Sequence, residues 1–142
     1  MRDDHGVGAA DDLILFVVAI LAFSLFFASL AAAYVLRASE ERGLRLQETA
    51  DSLLAAMRDG PNWTVSRGVL LAAALDSVDA EDLAPWSGGH AFRVTVWDVV
   101  TGSRWDFESG IFQGDLRAAS TSANVVADRT DPARITATVW SA

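Results

Sequence analysis

From Leu13 to Leu36 the chain runs 24 residues without a charge, and only Ser24, Ser29 and Tyr34 in that run carry a polar side-chain group. As a helix rising about 1.5 Å per residue, such a run spans roughly 36 Å, against ~30 Å for the hydrocarbon layer of a bilayer. It therefore predicts a helix that crosses a membrane with some tilt. A cleaved secretory signal has a shorter apolar stretch, about 7–15 residues, behind a basic leader. Here the leader, "MRDDHG", is acidic, so the span is expected to be retained. No other constraint on the fold is as strong, because the remaining chain must build a domain beside a lipid-embedded segment.

The helical pattern continues past the apolar run. "RASEERGLRLQETADSLLAAMRDG" follows from Arg37 without a proline, and Leu46, Ala50, Leu53 and Met57 recur at spacings of four, three and four, with Leu54 beside them. That spacing draws one apolar stripe along a helix. Glu41 and Arg45 stand four apart in the favourable order, while Gly43 weakens the segment by ~1 kcal/mol relative to Ala. "DGPN", residues 59–62, closes the run, with Gly60 suited to a helix end and Pro61 unable to extend it. The expected organisation is a leader or N-terminal tail (1–11), a transmembrane helix (12–36), its amphipathic continuation (37–59) and a small α+β domain (60–142).

Within that last segment, "TVSRGVLLAAALDSV" (64–78) reads as a short second helix with Thr64 or Ser66 as N-cap. "DAEDLAPWSGGH" reads as a loop. The period then changes from helical to two: Phe92, Val94 and Val96 alternate with Arg93, Thr95 and Trp97. "TGS" (101–103) turns the chain into a return strand at 104–107. A Gly-bearing stretch leads to a strand at 118–127, the turn "DRTDPA" (128–133) and a last strand at 134–141. Two hairpins predict about four antiparallel strands with one apolar face for the amphipathic helix, an α+β fold.

Composition narrows function more by exclusion than by assignment. The charged residues comprise 11 Arg, no Lys, 14 Asp and 5 Glu, for a net charge of −8. That balance argues against nucleic-acid binding, which needs clustered basic residues. An Asp-rich, Lys-free chain resembles proteins of salt-loving archaea, although a GC-rich genome biases composition the same way. With no Cys, disulfides, thiolate zinc sites and Cys nucleophiles are excluded. His5 and His90 have no neighbours at metal-ligand spacing. No Gly-x-Ser-x-Gly elbow or phosphate-cradling glycine pattern is present. No metal, cofactor or catalysis is expected, and a hydrolase built around His90 is the weakest reading. The two aspartates of "DRTDPA" are read as turn-stabilising side chains rather than calcium ligands.

Three smaller features carry expectations. Asp11 and Asp12 at the lip of the apolar run suit a helix N-terminus, where carboxylates cap free amides and meet the positive end of the dipole. Asn62-Trp63-Thr64 is an Asn-x-Thr glycan acceptor directly after a helix end. Five tryptophans (63, 86, 97, 105 and 140) all follow the apolar run; they read as sheet packing first, and as a contact surface or an interfacial belt second.

A long N-terminal helix, apolar then amphipathic, followed by a small antiparallel sheet, resembles the ladle-shaped plan of type IV pilins and pseudopilins. The chain resembles the archaeal members of that superfamily, which include minor pilin-like membrane proteins of halophiles. The ending "DPARITATVW" after "STSANVVADRT" is similar to theirs. The resemblance implies a membrane-anchored subunit of an archaeal surface filament or secretion-type apparatus, without catalysis. It implies a prepilin peptidase cutting between Gly6 and Val7, which puts Asp11 at the fifth mature position as an assembly handle and leaves Asp12 as the cap. Expected partners are the lipid bilayer and other pilin-like subunits packing against the helix. The small residues Ala28, Ala31 and Ala32 permit that close approach. The alternative is a single-pass protein with a sensor or scaffold domain that does not polymerise. Arg2 before the span and Arg37, Arg42 and Arg45 after it would by themselves place the domain in the cytoplasm. The resemblance and the glycan triplet favour the cell surface.

Overall fold

The structure, a computed structural model, describes residues 5–141, with side chains from Gly8 onward. Met1–Asp4, most of the expected leader, lie outside the described residues. The described chain is α+β: a long helix α1 (His5–Asp59), strands β1 (Thr64–Ser66) and β2 (Val69–Leu71), short helices α2 (Ala72–Leu75) and α3 (Ala80–Leu83), then β3 (Ala91–Asp98), β4 (Arg104–Ser109), β5 (Leu116–Val126) and β6 (Thr130–Trp140). It divides into two compact units, Met1–Glu40 and Glu41–Ala142.

In the second unit the strands form one six-stranded sheet in the order β1-β2-β5-β6-β3-β4. All neighbours are antiparallel except β2 and β5, which run parallel. The two expected hairpins are present as β3–β4 and β5–β6. The sheet has six strands rather than about four, because the segment expected to be a helix over 64–78 is mostly extended. Gly68 takes φ +75, which reverses the chain between β1 and β2. Its N–H donates to Arg58 O (3.0 Å), and its O accepts from Asn124 N (2.8 Å). Pairing with a distant strand thus outweighs the local helical period, and only Ala72–Leu75 coil, ending in the buried Leu75. The expected loop at 79–90 holds the one-turn α3, where the Asp79 N–H donates to the Asp82 carboxylate at 2.9 Å. The last strand begins at Thr130, so the turn narrows to residues 127–129.

The face of the sheet toward α1 is apolar. Phe92, Val94 and Val96 of β3 and Ile135, Ala137 and Val139 of β6 are buried against Leu46, Ala50, Leu53, Leu54 and Met57 of α1. These are the five helix positions that the spacing marked. The other face carries Arg93, Thr95 and Trp97 opposite Thr138, Thr136 and Arg134, a solvated surface, as expected when a sheet buries one side. Trp63 closes the core below the helix end: it is 3% exposed, and its Nε1 donates to Met57 O at 2.7 Å. A Cβ on Gly60 would stand 2.3 Å from the Trp63 ring, so a side chain there would collide with the indole.

Helix and sheet share a direction. The Arg117 guanidinium lies over Gly43, where a Cβ would meet Nη2 at 2.9 Å, and the Arg58 carbonyl connects through Gly68 to Asn124. From Gly43 to Arg58, α1 therefore runs alongside β5 from Arg117 to Asn124. One end of the sheet carries the start of β5, the end of β6 and the loop 110–115. The opposite end carries the turns 99–103 and 127–129.

Candidate functional site

The first candidate surface is the apolar stretch of α1. Every large hydrophobic side chain from Leu13 to Leu36 is exposed, from 48% at Val17 to 76% at Tyr34. Among the described residues one helix is long and apolar enough to cross a membrane. Ser24 and Ser29 turn their hydroxyls back, donating to the carbonyls of Ile20 and Leu25 at 2.8 Å each. Their polarity is satisfied inside the helix, which is compatible with a candidate membrane span. Ala19, Ala22, Phe23 and Phe26 line a shallow apolar groove of about 350 Å³. Ala28, Ala31 and Ala32 lie one turn further on and are exposed.

Asp11 and Asp12 stand inside α1, which already runs through residues 5–10. In this chain they therefore do not cap the helix; both side chains are exposed on its surface. The expected processing junction at Gly6 and Val7 falls on helical backbone, and those side chains lie outside the described residues.

The second candidate is a cleft of about 480 Å³ beside the start of β3, lined by Ser87, His90, Phe92, Ser109, Gly110, Ile111 and Ser141 among others. His90 Nδ1 is buried and has no hydrogen-bond partner among the described residues. The nearby Ser87 is occupied, donating to Ala84 O at 2.8 Å and accepting from Gly89 N at 3.3 Å. The cleft thus brings one imidazole and several hydroxyls together, and among the described residues its lining holds no Asp or Glu.

At the opposite end of the sheet lies a second hollow of about 390 Å³, lined by Asp98, Trp105, Asp128, Arg129 and Asp131 among others. Its charges are committed locally. Asp98, 5% exposed, accepts from Val100 N at 2.9 Å and Thr101 N at 3.0 Å. The Thr101 N–H above all, with Val100 N–H and the nearby Arg129, holds this carboxyl below the ordinary Asp range, against the opposing effect of burial. Arg129 Nε contacts Asp131 at 2.8 Å, and that hydrogen bond together with the attraction of Asp131 raises the guanidinium's own value. Trp105 Nε1 donates to Asp76 at 2.7 Å. Among the described residues no group of three or more His, Asp or Glu side chains is placed to hold a metal ion.

Asn62 is exposed in the turn after α1, while Trp63 beside it is buried and the Thr64 hydroxyl donates to Gly60 O at 2.6 Å. The tryptophans divide: Trp63 belongs to the core, Trp105 packs on its edge, and Trp86 and Trp97 are 43% and 44% exposed. Trp140 meets Phe112 at 4.6 Å between ring centroids, with the Arg93 guanidinium 5.1 Å from the Phe112 ring. Phe112, with Ile111 and Leu116, forms an apolar cluster at the 110–115 end that the sequence reading passed over. Its signal was the pair "IF" enclosed between Gly110 and Gly114, too short to show a period.

Comparison with protein-family models, with curated proteins and with solved structures gives no match for this chain.

Proposed function

We propose that this chain is a membrane-anchored, pilin-like structural subunit, which assembles with other subunits of an archaeal surface filament or secretion-type apparatus and performs no catalysis. The observation that carries this reading is the division of α1: one half has a fully exposed apolar surface, and the other lies under a sheet. A helix of this kind offers its first half to lipid and to neighbouring helices, with Ala28, Ala31 and Ala32 allowing close approach. Asp11 serves as the assembly handle and the domain faces the cell exterior, in line with the resemblance and with the exposed Asn62.

Because the chain lacks Cys, single substitutions such as A28C and A31C permit oxidative cross-linking in native membranes. The reading expects disulfide-linked dimers from each single-cysteine chain at native abundance, higher ladders once A28C and A31C are combined in one chain, and a mature N-terminus at Val7 by mass spectrometry. Monomer alone, with Met1 retained or only Met1 lost, contradicts it. A second reading is favoured by the His90 cleft: a single-pass protein whose domain binds a small ligand without polymerising. Monomeric cross-linking together with ligand-dependent protection of the cleft would select that reading.

A further inference from the structure

We propose that the free edge of β4 is a docking surface for a second copy of this chain, the two β4 strands pairing antiparallel about a two-fold axis at Trp105. The inference concerns the sheet alone and does not rest on the membrane-span part of the proposed function.

The sheet ends on two free edges, β1 and β4. β1 is three residues long, and its register against β2 shifts between Thr64 and Ser66. β4 runs six residues and pairs in unbroken register with β3, from Arg104 opposite Trp97 to Ser109 opposite Phe92. The Asp98 N–H donates to Ser103 O at 2.9 Å, which makes 98 and 103 a hydrogen-bonded pair. Such pairs recur at every second residue of an antiparallel ladder. Trp105 and Phe107 therefore bond back to β3, while the N–H and C=O groups of Arg104, Asp106 and Glu108 point outward. The Val99 N–H, donating to Pro132 O at 3.0 Å, sets the same phase, since it turns the odd-numbered residues of β3 toward β6. An edge of that kind is a template for another strand.

The side chains choose the partner and the register. Arg104, Asp106 and Glu108 all lie on the solvated face of the sheet and are exposed. Two registers between a pair of β4 strands oppose Arg104 to an acid while keeping the outward groups in hydrogen-bonded pairs. One, with Glu108 opposite, also sets Asp106 against the second copy's Asp106, and like charges directly opposite destabilise a strand pair. The other, two residues away, sets Arg104 opposite the second copy's Asp106 and Asp106 opposite its Arg104, so both central pairs are of opposite charge. It also puts Trp105 opposite Trp105 on the other face, in a non-hydrogen-bonded pair with Cβ atoms about 4.5–5.5 Å apart. Trp105 is half-buried on the rim of the core, and its twin covers what is left open. The edge is thus self-complementary in hydrogen bonding, charge and aromatic surface, as a two-fold contact requires.

The test uses the full chain in detergent, with mass read by light scattering over a concentration series and folding read by denaturant unfolding. Substitutions R104D and D106R each turn both central pairs into like-charge pairs, and each removes the intrachain Arg104–Asp106 contact. The native chain is expected to dimerise, and each variant alone to do so roughly tenfold or more weakly. An equimolar mixture of the two variants should recover the dimer, because each central pair then joins an Asp to an Arg. The intrachain contact stays broken in both chains of the mixture, so it cannot account for the recovery. A native chain that stays monomeric with its domain folded overturns the proposal. Dimers that persist unchanged in both variants also overturn it, while leaving assembly through α1 untouched. A mixture that stays monomeric beside a dimeric native chain gives the edge to a different occupant and overturns the self-pairing.

Discussion

The two stretches of α1 are made from similar residues and end in opposite environments. Between Leu13 and Leu36, leucines, phenylalanines and valines are each about half or more exposed, whereas Leu46, Ala50, Leu53 and Met57 are at most 2% exposed. The difference lies in the pattern. A run that is apolar on every side cannot be covered by one sheet, and only a solvent that is itself apolar suits it. A single stripe at spacings of three and four matches the one apolar face that β3, β5 and β6 present. The sheet covers the second stretch, while the first is left as an exposed candidate membrane span.

Breaking the comparison at the covered stretch should have the largest effect. Leu53→Ala removes a fully buried side chain and should lower the domain's stability by ~2–5 kcal/mol, read from denaturant unfolding in detergent through Trp63 fluorescence. Leu25→Ala, a change of the same chemistry in the other stretch, should leave that unfolding curve in place. Next in size is Gly60→Ala. Its Cβ would stand 2.3 Å from the Trp63 ring, so the indole must shift, at a cost of ~1–3 kcal/mol and with a change in the Trp63 emission maximum. Trp105→Phe keeps the ring packing but leaves Asp76 without its Nε1 donor, for a loss of ~1 kcal/mol by the same measurement.

The smallest effect is in pH dependence. The Asp98 carboxyl is held below its ordinary value in the folded state, so the unfolded chain takes up the proton first as pH falls. Its stabilising contribution is fully present above the unfolded value of about 3.9 and is lost as pH falls through the lower folded value. The stability difference between the native chain and Asp98→Asn should be constant above about pH 5 and change only below about pH 4.

How much of this was legible follows from which interactions are local. The alternation in 91–97 and 134–140 identified β3 and β6, because burial on one face imposes a period of two. The stripe 46–57 named the helix face correctly for the same kind of reason. The segment 64–71 was misread because "SRGVLLAAAL" is a good local helix, and the β2–β5 pairing that overrules it involves Asn124, Val125 and Val126, more than fifty residues away. Asp11 and Asp12 suit a helix start because they stand at the lip of the charge-free run, yet the backbone is helical from His5. The His90 cleft was not legible, as its walls come from the 84–92 segment, the end of β4 with the loop after it, and Ser141.

The central claim is that lipid covers one stretch of α1 and the sheet covers the other. It is tested most directly by cysteine reactivity in native membranes, using F23C and A50C with a membrane-impermeant maleimide across a urea series. Both sites should be unreactive without urea. The residue introduced at 50 should then react once urea unfolds the domain, while that at 23 stays protected until the bilayer is dissolved. Reaction at 23 in intact membranes, or at both sites at the same urea concentration, would contradict the account.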